Sequence, residues 1–434
     1  WFATGGNRHG VSSMKQSGAT ASVTPFYYGW VILAAAAVSE LLAQGATSYA
    51  AGLFVLPLQA EFHISRAVAN MPVLIMFLGA ALVSPLVGRA LDRFSIRLVL
   101  PLGAIIFSLA LIGIALSHSL LAMAVLLFLP AAIGFMCIGP LTTAAMASRW
   151  FYRHRGLALG LAAVATSGGG FTVVPLLSRA IQQYGWRLAL IYEAAIMAAI
   201  IVVLALLFLR DKPSDMGLDA HPENRGRESD PARSTDDAPV SWLRWHEILS
   251  SRAFWIPSIV LAMVSGTSQA LVITLVPYGV SLGLAVPSAA VMISAFSIAA
   301  ALTKVSAGVL ADYISQRILL VAAAGLMTLA WLTLSLSTEH AALFASACLA
   351  GVALGCALPT AAALIAGYYG PARFGAVMGW TYSLLGVITI VSSISIGFLF
   401  DRLGGYHSAF LVFFALLACV LVATLLFAPA RKTA

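Results

Sequence analysis

The sequence predicts an all-α membrane protein: twelve transmembrane helices in two pseudo-symmetric six-helix bundles. Three observations carry that prediction. The 434-residue chain is 61% hydrophobic and 9% charged, against about 45–50% and about 25% in soluble domains. Apolar stretches of about 20 residues, enough to cross a hydrocarbon core of about 30 Å as helix, recur along its length. Matching residues also recur between its two halves at one spacing. Backbone polar groups in hydrocarbon must be paired within their own segment, and these stretches are far longer than alternating barrel strands, so helices are the element that fits.

Taken in order, the stretches fall at 27–57, 66–88, 98–117, 119–148, 156–182, 187–209, 254–281, 287–311, 318–337, 341–369, 374–400 and 407–428. Residues 1–26 precede them as a polar tail; WFATGGNRHGVSS, before Met14, lacks the apolar core of a signal peptide and reads as a tail or remnant. Residues 211–252, rich in Pro, Asp, Arg and Ser, are too polar to pack and too long for a tight connection. They separate a first bundle, 27–210, from a second, 253–428, with 429–434 as a final tail. Within the linker Trp242, Leu243, Trp245 and Ile248 give SWLRWHEIL an amphipathic pattern that suits a membrane surface. The four cysteines, Cys137, Cys348, Cys356 and Cys419, fall inside spans without metal or CxxC spacing and read as apolar packing residues.

Charge sets the expected orientation. With both termini cytoplasmic, 19 of the 24 Lys and Arg lie on the inner side, from Arg8 and Lys15 to Arg431 and Lys432. Only Arg66, Arg179, Arg187 and Arg402 lie toward the outside, and Lys304 falls within a span. A net charge of +8 distributed this way fits a plasma (inner) membrane protein and not a nucleic-acid binder.

The halves repeat. Gly88, Asp92 and Arg97 recur as Gly308, Asp312 and Arg317 at an offset of 220; Pro140, Gly156 and Gly160 recur as Pro359, Gly375 and Gly379 at 219; Gly185 and Ala189 recur as Gly405 and Ala409 at 220. Two parallel repeats joined by a long linker describe a carrier whose halves rock about a central site.

GRALDRFSIR, with Gly88, Asp92, Arg93 and Arg97 in place and Ser95 where a second glycine is usual, resembles the loop signature of the major facilitator superfamily. The resemblance implies the major facilitator fold. It also implies a conformational latch of Gly88, Asp92, Arg93 and Arg97, repeated by Asp312 and Arg317, that steadies an outward-open state. An aspartate at the helix mouth can accept hydrogen bonds from a neighbouring helix N-terminus; the alternative is an acidic residue in a turn. WFYRHRGLALGLAAVA resembles a monocarboxylate transporter signature through Phe151, Arg153, Arg155, Leu157, Ala158, Gly160, Leu161 and Ala162. That family's other signature survives only as Gly29-Trp30; bacterial members and the related oxalate/formate antiporters are similarly loose there.

Lys304 follows thirty residues without Asp, Glu, Lys, Arg or His. It occupies the position where the monocarboxylate family carries the arginine that pairs with the substrate carboxylate. A cation within a span costs at least about 2.5–3.5 kcal/mol and needs a partner or an aqueous cavity. Ser297, Ala300, Ala301 and Gly308 share its helical face and leave room beside it. The alternative is snorkelling to the inner interface, about 10 Å away. The family's nearby aspartate is Ala300 here, and no second lysine lies near Thr47 and Ser48 or in the eleventh span. One fixed cation matches one carboxylate, which favours a monocarboxylate over a dianion.

Glu40 lies about 20 Å into the first span. A buried carboxylate is costly to ionise, so it is a proton-coupling candidate, an ion-pair partner for Lys304, or a structural group bonded between helices. Gln44, Gln269, Tyr278, Tyr382, Thr267 and Thr303 stand at cavity depth as candidate substrate ligands, with helix packing as the alternative for each. Glu193 and Arg179 read as interfacial. Thr166-Ser167-Gly168-Gly169-Gly170 reads as a hinge or a backbone-lined patch; Gly156-x3-Gly160, Gly351-x3-Gly355 and Gly375-x3-Gly379 read as packing motifs.

No HExxH, GxSxG or Walker sequence is present and no histidine is deep in a span, so neither enzyme chemistry nor a cofactor or metal is expected. The expectation is a secondary transporter of a small organic monocarboxylate, lactate- or pyruvate-like or aromatic. It would work by proton symport and alternating access, as a monomer whose partners are the anion, protons and the lipid bilayer. The alternatives are an organic-anion antiporter, an efflux carrier of an apolar or cationic compound, and a transporter-like sensor.

Overall fold

The computed structural model describes residues 27–151, 154–211, 216, 245–284 and 286–427. The expectations for the N-terminal tail with Arg8 and Lys15, for Arg153, for most of the linker with Trp242 and Leu243, and for Arg431 and Lys432 lie outside the described residues.

The first span is α1 (Gly29–Gln44), a π-helical turn (Gly45–Tyr49) and α2 (Ala51–Phe62). Next come α3 (Arg66–Arg93) and α4 (Ile96–Leu116). The fourth span is broken into α5 (Leu120–Leu126), a π turn (Leu127–Ala131), α6 (Ala132–Ile138) and α7 (Pro140–Trp150). Pro130 and Pro140 account for the breaks, because each removes an N–H and crowds the preceding turn.

Next is α8 (Arg155–Phe208), whose 54 residues would reach about 80 Å, far more than one crossing needs. Gly185, at φ 79° and ψ 160°, interrupts it. That backbone is open to glycine and strained for other residues, so α8 makes two crossings. The expected boundary between spans five and six, 182 to 187, brackets this glycine. The short surface helix α9 (Trp245–Ser250) buries Ile248 and exposes Trp245. It leads into α10 (Arg252–Ser281), α11 (Val286–Tyr313), α12 (Gln316–Leu336), α13 (His340–Tyr369), α14 (Phe374–Leu403) and α15 (Tyr406–Phe427). Among the described residues, eleven stretches are long and apolar enough to cross a membrane; with α8 counted twice they give the twelve spans and two six-helix bundles expected.

Large side chains such as Leu86, Leu109, Leu121, Leu302 and Leu426 are more than 60% exposed on the helices' outer faces. In water such a surface would drive association; in lipid it is the expected coat. The two bundles meet along two seams, α3 with α14 and the first half of α8 with α11, and small residues let the backbones touch. A Cβ at Gly88 would lie 2.1 Å from the Gly375 carbonyl oxygen, and one at Gly156 would lie 2.3 Å from that of Gly308. Gly351 and Gly355 serve the same purpose between α13 and α11.

The Thr166–Gly170 run differs from the hinge reading. It is continuous helix, and its glycines accept α1 and the π turn that follows it: Gly168 faces Leu41, Gly169 meets the Gly45 backbone, and Gly170 faces the Tyr49 ring. A Cβ at Gly169 would sit 2.4 Å from the Gly45 nitrogen, so the run is a packing groove and its glycines are needed for distance.

Candidate functional site

Three charged or phenolic side chains converge where the bundles meet. Glu40 on α1 is 1% exposed, Lys304 on α11 is 9% exposed, and Tyr382 stands on α14. The Lys304 ammonium donates to Thr166 Oγ1 at 2.6 Å and Ser167 Oγ at 3.0 Å, both on α8 in the opposite bundle. It is therefore held across the central seam and does not snorkel. The Glu40 carboxylate feels the Lys304 charge without forming an ion pair within 4 Å. Thr143 on α7 lies beside it, but its hydroxyl is directed to the Ala36 and Gly139 carbonyls at 3.3 Å. Neither Glu40 oxygen has a hydrogen-bond partner. The Tyr382 hydroxyl is likewise buried and unpartnered, within the field of Glu40.

The remaining candidates separate. Gln44 accepts from Ser48 Oγ at 2.8 Å on its own helix, and Gln269 is exposed. The Tyr278 ring packs edge-on against Tyr406 and Phe410, centroids 5.3 and 5.0 Å away, at the contact between α10 and α15. Thr303 packs toward α13. Its Cβ faces Gly355 of α13 and its hydroxyl donates to Ala299 O at 2.8 Å. Thr267 spends its hydroxyl on Met263 O in the same way. Glu193 also departs from the interfacial reading, since both its oxygens are buried without a partner.

At the ends of the second and eighth spans, which twelve alternating crossings place on one side, each bundle caps a helix of the other. Asp92 Oδ1 accepts from Gly375 N–H at 2.8 Å and Oδ2 from Ala376 N–H at 2.6 Å. Asp312 Oδ1 accepts from Gly156 N–H at 2.7 Å and Oδ2 from Leu157 N–H at 3.0 Å. These are carboxylates on the orphan donors and positive ends of α14 and α8. Arg149, which sequence reading passed over, donates to Leu91 O at 2.5 Å and stands 3.8 Å from Asp92. Arg93 lies over the Phe94 ring, Arg97 is exposed, and Arg317 donates to Leu425 O at 3.0 Å. Ser95 and Ile96 N–H instead bind Asp211, which caps α4.

On the opposite side Glu61 binds Trp186 Nε1 at 2.8 Å and Arg187 at 2.5 Å. The Arg187 guanidinium holds the Glu61 carboxyl below its ordinary range. The Gly29-Trp30 stretch and the 150–165 stretch also touch each other, with the Trp30 and Phe151 rings 4.6 Å apart.

The sequence pattern described as Major Facilitator Superfamily matches residues 36–293 and 259–434. The mouse protein named monocarboxylate transporter 11 is 27% identical over 396 residues, covering 89% of this chain and 84% of its own. The rat protein named monocarboxylate transporter 12 is 25% identical over 356 residues, covering 76% and 71%. A Bacillus subtilis protein named uncharacterized MFS-type transporter YcxA is 29% identical over 160 residues, 37% of this chain and 39% of its own length. Among solved structures, the E. coli fucose:proton symporter FucP superposes with a TM-score of 0.66 at 16% identity, covering 93% of this chain and all of its own. The proton:xylose symporter XylE superposes at 0.69 and 16%, covering 93% and 96%. A pattern that spans both bundles, together with relatives and a fold that agree with it, makes this chain a member of the major facilitator superfamily, a multi-pass membrane transporter and not an enzyme.

Proposed function

We propose that the protein carries a small organic monocarboxylate together with a proton by alternating access between its two bundles. The observation that carries this reading is Lys304: a cation held at the central seam by helices of both bundles, with the Glu40 carboxylate near but unpaired. A carboxylate substrate supplies the anion that such a buried cation lacks. A proton on Glu40 removes the cost of its charge, so the loaded carrier crosses its midpoint without an uncompensated ion. The relatives named monocarboxylate transporters support the substrate class. Asp92 and Asp312, with Gly88 beneath the first, act as the latch that holds one end shut. The excess of Lys and Arg at that side supports a cytosolic position for that end, both termini and the linker, and in this reading the capped end closes the carrier toward the cytosol.

Uptake of labelled lactate, pyruvate and benzoate into proteoliposomes, with and without an inward proton gradient, tests the proposal. The gradient is expected to drive accumulation of at least one acid, and Lys304→Ala to abolish it. Equal uptake with and without the gradient removes proton coupling; undiminished transport by Lys304→Ala removes the lysine from the site. Transport of apolar or cationic compounds that depends on Glu40 and not on Lys304 would favour efflux.

A further inference from the structure

Hydroxyl side chains along these spans mostly spend their proton on their own helix, each on a carbonyl one turn earlier: Thr47 on Ala43, Thr267 on Met263, Ser297 on Ile293 and Thr303 on Ala299. Thr166 does likewise, donating to Ala163 O at 2.7 Å while it accepts from Lys304. Ser167 does not. Its oxygen accepts from Lys304 at 3.0 Å, its own O–H is turned to the phenol of Tyr49 and not to a backbone carbonyl, and the side chain is only half-buried, with Tyr49 itself 44% exposed. The ammonium has three N–H donors, and Thr166 and Ser167 use two of them. One N–H of the ammonium therefore remains open, and on a heavy atom 3.0 Å away the Ser167 O–H faces only a half-exposed phenol, from which a carboxylate, the stronger acceptor, can take it.

We infer that Ser167 contacts the substrate and Thr166 is a positioning residue: the substrate carboxylate accepts one hydrogen bond from the free N–H of Lys304 and one from the Ser167 hydroxyl, while Thr166 holds the ammonium in place. The inference rests on the reading that Lys304 receives the anion. Two donors so close suit the two oxygens of one carboxylate, and a single lysine is only a point charge that does not by itself fix the plane of its ligand. Ser167 supplies the second point. It also makes the site a composite of both bundles, because α8 and α11 belong to opposite halves.

The test is acetylation of Lys304 by N-hydroxysuccinimidyl acetate in the purified full chain, read by peptide mass spectrometry. The competitors are increasing lactate, pyruvate or benzoate and, as controls, the matching amides. The acids are expected to protect Lys304 and the amides not. In Ser167→Ala the half-protecting concentration is expected to rise about tenfold, the worth of one hydrogen bond to a charged group, and to return toward the original value in Ser167→Thr. Thr166→Val is expected to acetylate faster before any acid is added, because the ammonium has lost a tether. Ser167→Cys keeps the shape with a weak donor and carries the same comparison if the alanine variant does not purify. Equal half-protecting concentrations in the parent and in Ser167→Ala or Ser167→Cys overturn the inference and leave the Lys304 reading standing. Absence of protection in the parent by every acid overturns both.

Discussion

At the scale of single residues, Glu40 is the group whose charge is hardest to sustain. Both its oxygens are buried and unpartnered, and the nearest compensation is the field of Lys304, whose hydrogen bonds go elsewhere. An ionised carboxylate in that position carries its desolvation cost almost whole; a protonated one does not. Glu40→Gln mimics the protonated form permanently. It is expected to fold, to exchange labelled for unlabelled acid across proteoliposomes at equal pH, and to lose accumulation driven by a pH gradient. Gradient-driven accumulation that survives the substitution would assign the proton to another group. Glu40, Lys304 and Tyr382 were legible as polar groups stranded in apolar runs, because depth along a span can be counted at about 1.5 Å per residue. Direction around the helix cannot be counted that way. For that reason Tyr278 and Thr303, at similar depth, prove to face α15 and α13, while Thr166 and Ser167, read as helix weakeners, prove to hold the lysine.

At the scale of elements, the two seams are related but not equivalent. The 220-residue spacing that links Gly88 to Gly308 also links Ser84 to Lys304. Ser84 donates to Gly379 O at 2.8 Å, a neutral hydrogen bond closing the seam of α3 with α14. At the matching place on α11, Lys304 reaches over Gly160, whose Cβ would lie 2.5 Å from the Lys304 carbonyl oxygen. The group proposed to receive the anion therefore stands on one seam only, directly above a close backbone contact. Gly160→Val is expected to push α8 off α11 and move the ammonium away from Thr166 and Ser167. Overpacking of this kind costs typically about 1–3 kcal/mol. The expected result is a lowered unfolding temperature in detergent and lost uptake, whereas Gly52→Ala, where a Cβ would meet nothing, leaves both unchanged. A Gly160→Val protein with normal uptake would show that the close approach is dispensable. These glycines were legible because they recur between the halves. The use of the Thr166–Gly170 run as a groove for α1 was not, because it depends on which helix lies alongside.

At the scale of the whole molecule, the polar contacts that join the bundles gather toward one end. At the end carrying Asp92 and Asp312, each bundle caps a helix of the other. At the opposite end Glu61, Trp186, Arg187 and Ala115 bond within the first bundle, while Tyr278, Tyr406 and Phe410 pack within the second. Among the described residues the bundles are thus pinned at one end, and the proposed alternation would require two carboxylate caps to be released. Losing a capping side chain costs about 0.5–2 kcal/mol, and each 1.4 kcal/mol is about a tenfold change in population. Asn keeps the shape of Asp but can accept with only one oxygen, so Asp92→Asn and Asp312→Asn should each shift the balance toward the form open at that end. Acting on separate seams, the two should combine nearly additively. The shift can be read as the maleimide-labelling rate of a single cysteine at Ala311, buried in the seam beside Gly156, in a background without the four native cysteines. Labelling is expected to rise about several-fold in each single variant and further in the double variant. A rate unchanged in the double variant would mean that the glycine seams alone hold the bundles together, and that the caps serve only their own helices.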